Sequence, residues 1–208
     1  MPDTKSNPAR QARHWLEYVT TGSALLISVI SLWVAIETEV ANRQMVAASS
    51  WPLLEVDSSN VDDKGNSVLL FRVTNTGVGP AKVRSFEVFY KGKPYTSAVS
   101  LIRACCQPNF KRPTISQATG SGDNLITGGI AGNVIRAGEV HSFITLGLGS
   151  QNVSLWRALN DARNNDVTYR ICYCSVFDEC WINTVKGRDQ LDPARVKTCP
   201  VPPVPYTE

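Results

Sequence analysis

LLFRVTNTGVGPAKVRSFEVFYKGKPY, Leu69 to Tyr95, is where the fold of this 208-residue chain is decided. From Ser67 to Thr74, Val68, Leu70 and Arg72 fall on one side and Leu69, Phe71 and Val73 on the other. That period of two marks a strand with one face against a core. Asn75-Thr76-Gly77 breaks the pattern, and Gly79-Pro80 follows. Asn75 and Gly77 suit positions that need a local side-chain hydrogen bond and a positive φ, while Pro80 stiffens the return. Lys82 to Tyr90 then resumes as a strand, with Phe86, Val88 and Tyr90 alternating, and Lys91-Gly92-Lys93-Pro94 turns the chain again.

The same grammar extends outward. Leu53 to Val56 reads as a short first strand, and Val140 to Leu146 as a later one opened by Ala137-Gly138-Glu139. Asp166 to Ser175 and Cys180 to Val185 read as a hairpin. One short helix is expected at Val153 to Arg163, where Leu155, Leu159 and Ala162 share a face and Asn152 or Ser154 can cap. Short strands separated by Gly/Pro turns point to an antiparallel β-sandwich over residues 52–196. A long insert, 103–135, interrupts it, and a Pro-rich tail, 197–208, follows. The insert reads first as a solvated, variable loop; Phe110-Lys111-Arg112 within it, an aromatic beside two cations, are the candidate partner contact.

Ahead of this domain stands VTTGSALLISVISLWVAI, Val19 to Ile36, without a charged residue. As a helix it spans about 27 Å, close to the ~30 Å hydrocarbon core of a bilayer. Trp15, Tyr18 and Trp33 flank it at headgroup depth. Lys5, Arg10 and Arg13 precede it, and Glu37 and Glu39 follow. Positive flanks stay inside, which predicts residues 1–18 as a basic cytoplasmic end, 19–36 as a transmembrane helix and 37–51 as a helical stalk, with the sandwich outside. A cleaved signal peptide is the rival; its first acceptable small-residue site, Val46-Ala47-Ala48, lies beyond Glu37, Glu39 and Arg43. Thr21, Ala24, Ser28, Ser31, Ala35, Thr38 and Asn42 form a stripe at steps of three and four. Small and hydroxylated residues allow helices to approach in lipid, so Ala24, Ser28, Ser31 and Ala35 are the expected surface for self-association or for docking another membrane helix. A chance stripe and a polar pore lining are the alternatives.

All six cysteines, Cys105, Cys106, Cys172, Cys174, Cys180 and Cys199, lie after this segment. An even number agrees with an oxidising compartment. A tight hairpin would set Cys174 opposite Cys180. Cys172, two residues along on the same face, could then staple Cys105 or Cys106, and Cys199 would tie down the tail. Six cysteines permit 15 pairings, so connectivity stays open. Free thiols are the alternative should the domain face the cytoplasm. No C-x-x-C pair exists, so no metal site is expected.

Nothing in the sequence assembles a catalytic constellation. Of the two histidines, His14 lies on the N-terminal flank and His141 stands alone in a strand. No G-x-S-x-G elbow or H-E-x-x-H helix occurs, and the GSG at Gly120–Gly122 lacks the lysine of a phosphate loop. Asp62-Asp63 and Asp178-Glu179 read as solvated turn residues. From Ser50 onward 17 Lys and Arg face 14 acids, too even for a nucleic-acid stripe. No enzyme activity, cofactor or nucleic-acid partner is therefore expected.

Leu69 to Tyr95 resembles the N-T-G-x-x-P-A turn of bacterial immunoglobulin-like or fibronectin-like sandwich domains of the CARDB type. Arg136-Ala137-Gly138-Glu139-Val140 is similar to their x-A-G-E turn. The layout of one helix and then this domain resembles uncharacterised bacterial single-pass membrane proteins. The resemblance implies an immunoglobulin-like sandwich in a bacterial single-pass membrane protein; the flanking charges and the cysteines put the expected site at the inner membrane with the domain facing the periplasm. Two functions follow: an interaction module recognising a protein or envelope partner, or a sensor or membrane-perturbing, defence-type effector whose domain faces the cytoplasm. If the stripe is an assembly surface, replacing Ser28 and Ser31 together with Leu lowers the crosslinked oligomer several-fold in membranes; unchanged crosslinking refutes it.

Overall fold

The computed structural model describes residues 8–111, 125–187, 189–190 and 192–207. The chain divides into two compact units, Met1–Ala48 and Ser49–Glu208.

The first unit is built on one helix, α1 (Pro8–Ser49), of 42 residues. No Gly or Pro interrupts it between Gly22 and its end, and the stalk residues after Ile36 are mostly good helix formers. The stretch Trp15–Ser49 contains a window long and apolar enough to cross a membrane. None of that window is buried within the protein, and Leu25, Leu26, Ile27, Val29 and Leu32 are each about two-thirds exposed. A soluble core helix would cover such a surface. Thr21 and Thr38 donate their hydroxyls to the carbonyls of Glu17 and Val34 one turn back.

The second unit is an antiparallel β-sandwich. One sheet has the order β1 (Leu54–Val61), β2 (Ser67–Asn75), β7 (Val140–Gly147), β5 (Leu125–Thr127). The other runs β10 (Asp189–Gln190), β9 (Cys180–Lys186), β8 (Val167–Cys174), β3 (Ala81–Tyr90), β4 (Lys93–Tyr95). β6 (Val134–Ile135) pairs with β3, and β11 (Ala194–Val196) with β9. Leu69, Phe71 and Val73 are fully buried, as their alternation requires. Between the sheets lies an aromatic cluster in which Phe86 and Phe143 meet at 4.9 Å and Tyr169 packs against both.

Among the described residues, two helices join the sandwich. α3 (Val153–Asn165) lies where the periodicity placed it. Asn152 precedes it, but its side chain does not cap; it turns back, accepting from Gly149 N and donating to Gly147 O. α2 (Ala98–Cys105) was not foreseen. Its capping box uses Ser97 and Ser100, a weaker sequence signal than the usual Glu or Gln. The end of α2 and the short strands β5 and β6 fall within what reads in sequence as an open insert, 103–135.

The Asn75 turn carries more than a reversal. Asn75 is fully buried, and its amide is saturated. Oδ1 accepts from Leu53 N at 3.3 Å and Gly77 N at 3.1 Å; Nδ2 donates to Gly79 O at 2.8 Å and Ile135 O at 3.0 Å. Gly77 does not take the positive φ that its position suggests. Its need is space: a Cβ there would lie 2.6 Å from Trp51 O and 2.7 Å from the Pro52 carbonyl carbon. A Cβ on Gly79 would come within 2.7 Å of Ser50 Cα. The glycines thus admit the incoming segment Ser50–Leu53, which is held by Thr76 N to Leu53 O and Val78 N to Trp51 O.

The tail is ordered rather than loose. The outer edge of β3 is paired by β6 at Ala81–Lys82 and by β4 at Val88–Tyr90. In the interval Tyr206 N donates to Phe86 O, and Thr207 N donates to Thr96 O. The Tyr206 ring enters the core edge-on to Phe86 at 5.7 Å and to Phe143 at 6.1 Å. Asn75→Ala should cost about 3 kcal/mol or more, since it strands several buried donors and acceptors at once. Urea unfolding of the detergent-solubilised protein measures this; a loss under about 1 kcal/mol removes the amide from its central role.

Candidate interaction site at the cysteine-tied end

β8 runs with Tyr169, Ile171 and Tyr173 toward the core, so Thr168, Arg170, Cys172 and Cys174 face outward on alternate positions. The register sets Cys174 directly opposite Cys180 across the hairpin. These two are bonded, with Cα atoms 4.0 Å apart. Cys172 is bonded to Cys199, Cα atoms 5.7 Å apart, which clamps the tail on the outer face of this sheet. Cys105 and Cys106 are bonded to each other at the end of α2. No cysteine is free.

This corrects one expectation. Cys172 does not staple Cys105 or Cys106; the tail lies over the outer face of β8 and brings Cys199 to it, leaving the vicinal pair to each other. Cys174–Cys180 and the anchoring role of Cys199 stand as expected. The sequence could not supply the second pairing, because nothing local says over which sheet face residues 197–206 pass.

The hairpin tip, Ser175–Glu179, is tightly closed. Ser175 N donates to Glu179 O, and Asp178 N to Ser175 O. Asp178 takes φ of 59°, a left-handed conformation that a short polar side chain tolerates. Val176 and Phe177 therefore project outward, 47 % and 55 % exposed. Lys82 Nζ bonds Asp178 Oδ1 at 2.6 Å, and Arg84 Nη2 lies at 3.5 Å from the same oxygen. The Lys82 hydrogen bond and charge, with Arg84 behind them, hold the Asp178 carboxyl below the usual aspartate range. The contact is thus complete above the ordinary aspartate range and is lost only as pH falls through the depressed value. Arg195 pairs with Glu179 on the other flank.

Between tip and tail lies a cleft of about 430 Å³. Arg84, Asp178 and the Cys174–Cys180 bridge form one wall, and Lys197 to Pro202 the other. Val201, 93 % exposed, stands at the rim. The lining is mainly apolar, with Arg84, Asp178 and Lys197 as its charged members.

The other residues singled out in the sequence lie elsewhere. Phe110 is buried in the core, 8 % exposed, and so is not a contact surface; its carbonyl accepts from Arg103 Nε. Lys111 is exposed, and Arg112 lies outside the described residues. Ala24, Ser28, Ser31 and Ala35 are exposed on α1. His141 is half-buried on β7, paired in register with Val73. Asp62 organises its turn, accepting from Lys64 N, Asn66 N and Asn66 Nδ2, and these bonds, that of the Asn66 amide foremost, lower its carboxyl below the usual range. The Val176–Phe177 tip and the cleft were missed, since their partner wall is distant in sequence.

No protein-family model matches the chain, and no curated protein matches its sequence.

Cys199→Ser opens a loop whose ends are 27 residues apart. Chain entropy then predicts a loss of about 3.5 kcal/mol, one new reactive thiol at Cys172, and protease sensitivity confined to the tail. Denaturant unfolding, thiol titration and limited proteolysis check this.

Proposed function

We propose that this chain is a non-enzymatic interaction module anchored in the bacterial inner membrane, presenting its sandwich to the periplasm. The observation that carries the reading is α1: an uncharged stretch, wholly uncovered by the protein, joined to a compact domain that holds three disulfides. Cation-rich flanks before Val19 and acids after Ile36 favour an inside N-terminus. Persistent disulfides favour an oxidising compartment for the domain. The turn chemistry of Leu69–Tyr95 supports a CARDB-type, immunoglobulin-like relationship, and such sandwiches serve here as a rigid carrier for loops.

The partner is a protein or envelope component, engaged at the cysteine-tied end. Phe177 and Val201 offer exposed apolar surface there, and Lys82, Arg84 and Asp178 supply charge. The striped face of α1 brings copies of the chain, or another membrane helix, together in the bilayer. That exposed stripe also favours the second reading, a sensor or effector that signals by repacking its helices, with the domain in the cytoplasm.

A reporter that is active only outside the inner membrane, fused after Glu208, separates the two. Activity there supports the module. Activity solely of a cytoplasmic reporter at the same position rejects the localisation and the disulfide argument together.

A further inference from the structure

The two disulfides at the hairpin end are not separate. Cys174 Sγ lies 3.9 Å from Cys199 Sγ, across from one bridge to the other. The sulfurs of Cys174, Cys180 and Cys199 all lie within 4.8 Å of one another. Cys172 Sγ lies outside that group of three, but its bond to Cys199 brings it to the group's edge, where it can serve as a fourth donor. Its ligands come from three segments: Cys172 and Cys174 from β8, Cys180 from β9, Cys199 from the tail.

We infer that in the reduced chain Cys172, Cys174, Cys180 and Cys199 form a tetrathiolate site for a closed-shell soft cation, zinc foremost. Tetrahedral zinc with Zn–S bonds of about 2.3 Å requires sulfurs about 3.8 Å apart. The Cys174–Cys199 distance already meets this. The two bonded pairs reach it once each S–S bond is broken and the side chains rotate apart. Cys172, Cys174 and Cys180 are each at most 5 % exposed, so the ion would sit out of water. Arg84, Lys197 and Asp178 line the same cleft, a net charge of +1 that offsets part of the double negative charge of a zinc tetrathiolate. Sequence spacing hides the site, because Cys-x-Cys on a strand is not a zinc knuckle; the hairpin and the tail supply what spacing lacks.

The chemistry balances simply. Two equivalents of a dithiol, each oxidised to its own disulfide, deliver four electrons and four protons and leave four thiols. Zinc binding then releases the four protons and changes no oxidation state. Disulfides and zinc are alternative occupants of one set of sulfurs, chosen by the redox poise around the domain.

The full-length protein in detergent, reduced with a phosphine, is titrated with Co²⁺ as the spectroscopic probe and then with Zn²⁺. The expected result is one Co²⁺ per chain with thiolate charge-transfer and tetrahedral d–d bands, bleached by Zn²⁺. Cys174→Ser and Cys199→Ser each weaken binding at least tenfold. Cys105→Ser with Cys106→Ser leaves it unchanged, and the unreduced protein shows no bands. Absent bands, bands surviving unweakened in Cys174→Ser, or bands lost in the Cys105/Cys106 variant overturn the inference. If reduction abolishes the sandwich by circular dichroism, recovery on adding Zn²⁺ supports the site and continued unfolding rejects it. The measurement does not depend on membrane sidedness, so its failure leaves the anchored-module reading standing.

Discussion

The sandwich depends on one buried amide. Asn75 ends β2 in one sheet, yet its side chain reaches the incoming segment at Leu53, the turn at Gly77 and Gly79, and β6 on the opposite sheet at Ile135. Its backbone adds Asn75 N to Glu139 O and Gly138 N to Asn75 O, which fix the start of β7. Every polar atom of the residue is used, so burial costs nothing left uncompensated. The segment before β1, the crossing between sheets and the return strand are all referenced to this point. Gly77 and Gly79 are the steric counterpart: the entering backbone passes where side chains would otherwise stand.

A second constraint closes the far side. The edge of β3 is only partly covered by β4 and β6, and Tyr206 fills the interval. Cys199 holds the same tail some residues earlier. Between these two ties the segment Lys197–Pro202 is drawn past the hairpin tip and shapes the cleft. Pro200, Pro202 and Pro203 lower the entropy that such an extended crossing loses. The candidate interaction site is therefore a by-product of how the core is sealed.

What was legible in the sequence followed periodicity. β2, β3, β7, β8, β9 and α3 all have clean two- or 3.6-residue patterns, and they lie within a residue or two of where those patterns put them. The Val19–Ile36 part of α1 was legible from its lack of charge and the stalk from its helix formers, whereas the helical turns from Pro8 to Tyr18 were not. α2 was not, because Ser100 replaces the acidic half of its capping box. β5, β6, β10 and β11 are two or three residues long and carry no period to detect. Phe110 shows the limit most plainly: beside two cations it reads as a surface contact, but the α2 end folds it inward. The cysteines were half legible. A hairpin sets Cys174 against Cys180 locally, whereas Cys172 meets Cys199 only through the course of the tail, which is long-range.

The position of Tyr206 also orders events in time. Every strand of both sheets is synthesised before it, and until it arrives Phe86 O lacks this partner and the aromatic core stays open at one edge. A chain emerging stepwise from a ribosome or a translocon can pair its hairpins early but cannot seal its interior. Completion of the core is thereby left to the last residues: a chain that stops short of Tyr206 leaves that interval of the β3 edge unpaired and uncovers one side of Phe86 and Phe143.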